Sequence, residues 1–297
     1  MTLNNVKIND VHVHVNPFSM LHKPALEFFA MNQDFRQNWN RIERDPSYVV
    51  KRMDEEGVQR IVLINYVAKE VMGYDLSVNE YVFRYCRGYR DRLIPFGGVE
   101  IGLDHTEFAR RIEEDYSKFE LAGLKLHPVH QLVYANQYLP EYGEARVRNL
   151  ETLYQFCSDH SVPLTVHTGS SMFPGARIKY GDPLYLDDVL VDFPELTLIM
   201  AHGGRPIWME KAFFLMRRHR NLYLDISGIP PNRLLEYFPR ITEIADRVIF
   251  GSDWPSPGVK GMRANALEIL KLPIPEDVKE RILGLNFEHL FRSLRVI

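Results

Sequence analysis

Short apolar runs alternate with amphipathic stretches along nearly the whole chain. The apolar runs occupy residues 6–14, 60–65, 93–99, 121–128, 162–169, 196–204, 221–227 and 247–253. Runs that are apolar almost throughout are typical of strands covered on both faces, as in a parallel sheet. Eight strand–helix units predict an α/β protein with a (β/α)8 TIM barrel. An open doubly wound sheet is the alternative, but no Gly-x-Gly-x-x-Gly turn follows the first strand.

Several helix ends are marked by their own residues. Asp45 followed by Pro46 predicts a helix start, and Gly57 predicts the end of that helix. Asp104, with Glu107 three positions later, predicts the start of a helix that runs to about residue 119. Further helices are expected at residues 77–87, 143–160, 187–193 and 206–219, and from about residue 263 onward.

The segment after the first strand, residues 16–44, is a long insertion rich in large aromatic side chains. They are Phe18, Phe28, Phe29, Phe35 and Trp39. Because loops at strand ends often carry function, we expect this segment to form a lid or a wall of a binding site. The alternative is a peripheral helix that covers the outside of the fold.

Composition narrows the class of protein. No linker or composition break divides the 297 residues, so we expect one domain over residues 1–297. The net charge of −3 and the scattered basic residues argue against nucleic acid or a membrane surface as a partner and favour a small-molecule substrate. Two distant cysteines, Cys86 and Cys157, and the lack of a signal peptide or membrane span lead us to expect a cytoplasmic protein.

Ionisable residues cluster where the predicted strands end. The residues are His12, His14, Lys125, His127, His167, His202 and Asp253. In a barrel the carboxyl ends of all strands meet at one mouth, where catalysis takes place. Imidazole and carboxylate groups are good ligands for first-row metals, so the set predicts a metal site. Any one of these histidines alone could be an ordinary hydrogen-bonded histidine, but five of the eleven lie at strand ends.

The strand-end motifs, taken in order, resemble a known superfamily. They are DVHVH at residues 10–14, GLKLHP at 123–128, VHTG at 166–169, AHGG at 201–204 and GSDWP at 251–255. This series is similar to the amidohydrolase superfamily. More narrowly, it resembles the amidohydrolase-2 group of metal-dependent TIM-barrel enzymes, which includes aminocarboxymuconate semialdehyde decarboxylase-like proteins. The resemblance extends to GLNFEHLF at residues 284–291.

The resemblance implies a mononuclear metal site. His12, His14 and His167 would supply nitrogen ligands and Asp253 an oxygen ligand to one divalent ion, for which we expect Zn²⁺. Such an ion makes hydroxide available from bound water near neutral pH. His202 would act as general acid and base, and Asp253 could share the proton transfer.

Four further residues are expected to contact the substrate: Lys125, His127, Arg205 and Trp254. Lys125 could instead pair with Asp225 or Glu100 inside the barrel, or be carboxylated to bridge a second metal, as in some relatives of the wider superfamily. Arg205 could equally be a solvated loop residue. Asp10 is expected to orient a histidine.

Two reactions fit this set of residues. Our first expectation is hydrolysis of an amide, ester or lactone by metal-activated water. The alternative is metal-dependent decarboxylation of an unsaturated or aromatic carboxylic acid. A metal-binding barrel without turnover is a third possibility, which the presence of His202 beside a full ligand set argues against. By analogy with the group alone, we expect a homodimer.

The metal site leads to a direct test. Protein purified without chelator should contain about one equivalent of a divalent metal, and His12→Ala should lose most of it because a ligand is removed. Elemental analysis by mass spectrometry measures both. A folded, metal-free wild type that behaves like His12→Ala would refute the site.

Overall fold

A ring of eight parallel strands forms the centre of the computed structural model, which describes residues 6–294, 296 and 297. The strands are β1 (Ile8–Val13), β2 (Val58–Ile64), β3 (Leu93–Gly98), β4 (Gly123–Leu126), β5 (Leu164–His167), β6 (Leu198–Ala201), β7 (Leu222–Asp225) and β8 (Val248–Ile249). They follow one another around the sheet in chain order. Backbone hydrogen bonds from Val11 N to Phe250 O and from Asp253 N to His12 O, both 2.9 Å, join β1 to the chain at the end of β8. The architecture is the predicted TIM barrel.

Helices connect the strands and surround them. They are α1 (Lys23–Phe29), α2 (Gln33–Arg44), α3 (Pro46–Glu56), α4 (Ser77–Cys86), α5 (His105–Lys118), α6 (Pro128–Gln131), α7 (Arg148–Asp159), α8 (Tyr185–Asp192), α9 (Met209–Arg218), α10 (Leu234–Tyr237), α11 (Met262–Leu270), α12 (Glu276–Glu280) and α13 (Asn286–Ser293), with one π-helical turn at Arg281–Leu285. Among the residues that the structure describes, no helix has both the length and the apolar character needed to cross a membrane.

The predicted helix caps are present. The Asp45 side chain accepts a hydrogen bond from Tyr48 N at 3.2 Å, and Gly57 ends α3 in the left-handed conformation, with φ 69°. Asp104 caps α5 by accepting hydrogen bonds from the backbone of the next turn. Short polar side chains at these positions satisfy amide groups that have no partner within the helix.

Two helices begin later than predicted. The helix expected from residue 143 starts at Arg148, because residues 140–145 form a 3₁₀ segment interrupted by Gly143, with φ 54° and ψ −124°. The helix expected from Pro206 starts at Met209, because the chain first makes a turn in which Ile207 N and Trp208 N donate to Gly204 O. Both delays follow from glycine-containing turns whose geometry the apolar pattern does not encode.

The long insertion after β1 folds into α1 and α2 and forms a wall of the barrel mouth. Phe18, Phe29 and Phe35 are buried against one another, with ring centroids 4.8 to 5.5 Å apart. Phe28 lies 4.6 Å from the ring of Phe173, which follows β5. The aromatic residues thus hold the insertion over the strand ends.

A glycine in β4 allows a phenyl ring into the barrel interior. A Cβ atom added to Gly123 would lie 2.3 Å from the ring of Phe96, which is fully buried on β3. Gly123→Ala should therefore lower the free energy of unfolding by about 1–3 kcal/mol, because overpacking forces the ring to move. Urea unfolding followed by circular dichroism measures this loss.

Gly88→Ala is the matched control, because a Cβ atom there meets no atom within 4 Å. It should change the free energy of unfolding by less than about 0.5 kcal/mol. Equal stability of the two variants would contradict the packing argument.

Candidate active site

A cavity of about 200 Å³ opens at the carboxyl ends of the strands. Six histidines line it: His12, His14, His127, His130, His167 and His202. The other charged residues of its lining are Lys125, Arg205 and Asp253, and three phenylalanines, Phe28, Phe29 and Phe173, form an aromatic side. All the residues that the sequence assigns to the site, except Trp254, line this one cavity.

His12 is held in one orientation by a buried carboxylate at the end of β7. Its Nδ1 lies 2.5 Å from Asp225 Oδ2, and both side chains are almost fully buried. Because a carboxylate only accepts, Nδ1 carries the proton and the lone pair of Nε2 is free. A histidine held in this way is suited to binding a metal through Nε2.

Asp10 acts on the backbone rather than on a histidine ring. Its Oδ1 accepts hydrogen bonds from His12 N at 3.0 Å and from Ser252 N at 2.9 Å. Burial raises the pKa of Asp10 to about 7, although these hydrogen bonds oppose the shift. Asp10 therefore fixes the ends of the first and last strands relative to each other.

His202, like His12, has its Nε2 lone pair free. Its Nδ1 lies 2.8 Å from the carbonyl oxygen of Ser227, so Nδ1 donates and the lone pair of Nε2 is free. Ser227 Oγ is also 3.0 Å from Nδ1 of both His12 and His202. Burial, together with the positive charge of Arg205, lowers the pKa of His202 well below its usual value. The ring is therefore neutral at pH 7.

Asp253 lies next to both histidines of β1. Its Oδ1 is 3.2 Å from His14 Nε2 and 3.7 Å from His12 Nε2. Burial by itself would raise the pKa of Asp253, but the hydrogen bond from His14 and the nearby histidines lower it to about 2. An acid this strong stays ionised at pH 7, which suits a ligand better than a proton donor.

Two of these residues have an unusual backbone conformation. His202 has φ 68° and Asp253 has φ 65°, in the left-handed region that costs energy for residues with a side chain. Such conformations concentrate at functional sites, where the surrounding structure enforces them. Here the backbone directs an imidazole and a carboxylate toward the cavity.

The donor atoms fit a divalent metal. One ligand atom each from His12, His202 and Asp253 lie within 4.8 Å of one another, a spacing that allows the three to share a metal ion. His167 Nε2 is buried and has no hydrogen-bond partner in the described part of the chain. Nitrogen and carboxylate donors with orphaned lone pairs are what a first-row divalent ion requires.

The structure groups the histidines differently from the sequence. The group contains His202, which the sequence assigns to proton transfer, and it contains neither His14 nor His167, which the sequence assigns to the metal. The ring of His167 lies 4.7 Å from His202 and stacks 3.9 Å from His127. His167 therefore lies beside His202 at the cavity, outside the group of three.

Lys125 is a buried cation without a partner. It is 1% exposed, and its Nζ makes no hydrogen bond to any residue that the structure describes. The pairing with Glu100 that the sequence allowed does not occur, because Glu100 binds Lys69 instead. Burial lowers the pKa of Lys125 to about 8, although Asp225 and Asp253 oppose this shift.

His127, two residues after Lys125, is a hydrogen-bond donor rather than a ligand. Its Nδ1 accepts from His130 N at 3.3 Å, at the start of α6, so the neutral ring carries its proton on Nε2. Its ring stacks between His130, at 3.6 Å, and His167. His127 lines the cavity, and its contact with a substrate stays a prediction.

Arg205 is anchored at the cavity rather than solvated. Its Nε donates to Gly228 O at 2.6 Å and its Nη1 to Ser170 O at 3.1 Å. Nη2 lies 3.9 Å from Asp253 Oδ2. Two carbonyl groups thus position the guanidinium beside the metal donors.

Trp254 does not contact the cavity, and the expected substrate contact is corrected by the structure. The side chain is fully buried, and its indole N–H donates to Asp34 at 3.2 Å. The Arg52 guanidinium lies 4.7 Å from its ring centroid. Trp254 therefore connects the end of β8 to α2 and α3 behind the cavity wall.

Sequence reasoning missed several residues of the site. His130 lies between Tyr66 OH, at 3.2 Å from Nδ1, and Ser171 Oγ, at 2.8 Å from Nε2. Burial lowers its pKa to about 3, so it stays neutral. Asp225 was considered only as a partner of Lys125. Its position at the last residue of β7 is the signal that could have placed it beside His12.

The sequence matches a known protein family over most of its length. The model of the amidohydrolase family matches residues 10–292. A search of the curated proteins found no match to this sequence.

Solved structures share the fold over nearly their whole length. An uncharacterized TIM-barrel protein from Bordetella bronchiseptica is 24% identical, with a TM-score of 0.76, over 98% of this chain and 100% of that one. The 5-carboxyvanillate decarboxylase from Sphingomonas paucimobilis is 16% identical, with a TM-score of 0.67, over 97% and 99%. A dihydroxybenzoic acid decarboxylase from Polaromonas sp. JS666, solved with manganese and 2-nitroresorcinol, is 18% identical, with a TM-score of 0.64, over 97% of each chain.

The contact between Asp225 and His12 can be tested through metal affinity. Asp225→Asn can donate to Nδ1 and so move the His12 proton to Nε2, which removes the free lone pair. Metal affinity should fall roughly 10- to 100-fold, as is usual when a residue behind a ligand is changed. Competition with a chromophoric chelator measures the affinity.

Asp115→Asn provides a matched control. Asp115 is also a buried carboxylate, but its partners are Asn79 and Arg111, outside the cavity. The metal affinity of the Asp115→Asn variant should stay at the wild-type value. If both variants bind metal equally well, Asp225 does not set the His12 tautomer.

Proposed function

Because this chain belongs to the amidohydrolase family, a family of metal-dependent enzymes, we propose that it is a metal-dependent decarboxylase of an unsaturated or aromatic carboxylic acid. From the sequence, hydrolysis was the first expectation and decarboxylation the alternative. The composition of the cavity and the decarboxylases among the structural neighbours support the alternative better.

The observation that carries this proposal is the division of the cavity into a cationic and an aromatic side. Lys125 and Arg205 offer charge to a carboxylate, while Phe28, Phe29 and Phe173 offer a surface for a planar ring. A neutral amide or lactone needs no buried cations for binding. An anionic ring compound uses both sides of the cavity.

One divalent ion would be held by His12, His14, His167 and Asp253, which leaves His202 to carry the proton. When bound, it would supply a positive charge that polarises a substrate oxygen. Zinc suits the nitrogen-rich donors, and manganese is the alternative because the Polaromonas decarboxylase contains it.

His202 is the residue that would move the proton. It is neutral in the free protein, with the lone pair of Nε2 exposed to the cavity. An anionic substrate nearby favours the imidazolium and so raises the pKa of His202 again. Nε2 can then deliver a proton to the ring carbon. The bond from that carbon to the carboxylate breaks, its electron pair takes the proton, and carbon dioxide leaves.

Hydrolysis is the second candidate, and one observation favours it. In neutral His202 the lone pair of Nε2 is free, and an imidazole in this form can remove a proton from an attacking water molecule. This route would use Lys125 and Arg205 only to bind a distant part of the substrate.

A substrate screen read by two signals separates the reactions. Hydroxylated benzoates and unsaturated carboxylic acids should release carbon dioxide, whereas lactones, amides and esters should release no acid. His202→Asn should retain the metal but lose carbon dioxide release by about 10²- to 10⁴-fold, because the proton carrier is gone.

His160→Asn is the control, because His160 lies at the end of α7 outside the cavity. It should decarboxylate at the wild-type rate. Acid release without carbon dioxide would establish hydrolysis instead. Loss of the metal in His202→Asn would make His202 a ligand and require another proton carrier.

A further inference from the structure

We propose that Lys125 determines substrate choice by binding a second anionic group of the substrate, separate from the carboxylate beside Arg205. The inference rests on the proposed function in taking the substrate to be a carboxylic acid. It adds that the substrate of this chain is a small dianion, such as a ring with two carboxylates or with a carboxylate and a phenolate.

The first argument is that Lys125 has no partner. Its Nζ is buried in the cavity lining and makes no hydrogen bond within the described part of the chain. A buried ammonium without a partner is costly, and proteins usually pair it with a carboxylate. Its carboxylate neighbours are engaged elsewhere: Asp225 with His12 and Ser227, and Asp253 with His14. An anionic oxygen of a ligand is the remaining partner.

The second argument is that Lys125 and Arg205 differ in how they are held. Two carbonyl oxygens fix the Arg205 guanidinium, and its Nη2 lies 3.9 Å from Asp253. Lys125 projects from β4, on a different strand end, and no side chain fixes its ammonium group. Lys125 thus belongs to the end of β4 and Arg205 to the turn after β6, so a ligand can meet the two cations with two different groups.

The third argument is the balance of charge. Lys125 and Arg205 are matched by Asp225 and Asp253, so these four side chains sum to zero. A divalent ion would add two positive charges in a site where uncompensated charge is expensive. A substrate with two negative charges restores the balance.

The cavity also limits the size of the substrate. The cavity volume of about 200 Å³ is below the range of pocket volumes that is typical for drug-sized ligands. Phe28 and Phe173, whose rings pack against each other, form the aromatic side of the cavity, and the space beside them fits a single ring of the substrate. The dianion is therefore a one-ring compound or a short unsaturated diacid.

The experiment measures binding rather than turnover. Metal-loaded protein is titrated by calorimetry with benzene-1,3-dicarboxylate and, separately, with benzoate. The wild type should bind the dicarboxylate roughly 10- to 100-fold more tightly, as expected for one added charged hydrogen bond. In Lys125→Met, which keeps most of the length of the side chain and removes its charge, the two ligands should bind within about threefold of each other.

Lys69→Met is the matched control, because Lys69 follows β2, is exposed and pairs with Glu100 outside the cavity. It should keep the wild-type preference. Metal content and the melting temperature are measured for each variant, and Lys125→Gln replaces Lys125→Met if the latter does not fold.

A wild type that binds both ligands equally, or a Lys125 variant that keeps the preference, overturns the inference. Two equivalents of metal together with the added mass of a carboxyl group on Lys125 would also overturn it. A clear preference without any carbon dioxide release would reject the decarboxylase and leave the role of Lys125 intact. Carbon dioxide release without a preference for dianions would support the decarboxylase and reject the proposed role of Lys125.

Discussion

The closure of the barrel between its first and last strands is the constraint on which the site depends. His12 and Asp253 lie 241 positions apart in the chain, yet Asp253 N donates to His12 O and His14 N donates to Trp254 O. Asp10 strengthens this closure by accepting hydrogen bonds from the backbone of His12 on one side and of Ser252 on the other. Because these candidate ligands come from opposite ends of the chain, they come together only when the ring of strands is complete.

Burial controls the chemistry of the groups that closure brings together. Desolvation lowers the pKa of His202 and Lys125 and raises that of Asp10, whereas hydrogen bonding keeps Asp253 strongly acidic. At pH 7 the site thus combines neutral imidazoles with an ionised carboxylate. Neutral imidazole is the form that binds a metal. The hydrogen bonds of His12 and His202 to Asp225 and Ser227 then decide which nitrogen is free.

The aromatic insertion after β1 completes the site from outside the barrel. Its phenylalanines pack on one another and reach Phe173 on the loop after β5. The cavity therefore has a polar floor made by strand ends and an apolar side made by loops. This division places the candidate metal donors on rigid strands and the apolar contacts on loops, which in TIM barrels carry much of the specificity.

The sequence by itself determined the barrel, because eight apolar runs separated by helical stretches leave few other ways to cover both faces of each strand. It also placed five of the six cavity histidines at the mouth, since strand ends converge there, but not His130, which lies in the helix after β4. Only the tertiary structure decided the pairing of His12 with Asp225, the grouping of His202 with the metal donors and the placement of Trp254 behind the wall. These depend on distances between residues far apart in the chain and on side-chain direction, which hydrophobic periodicity does not encode.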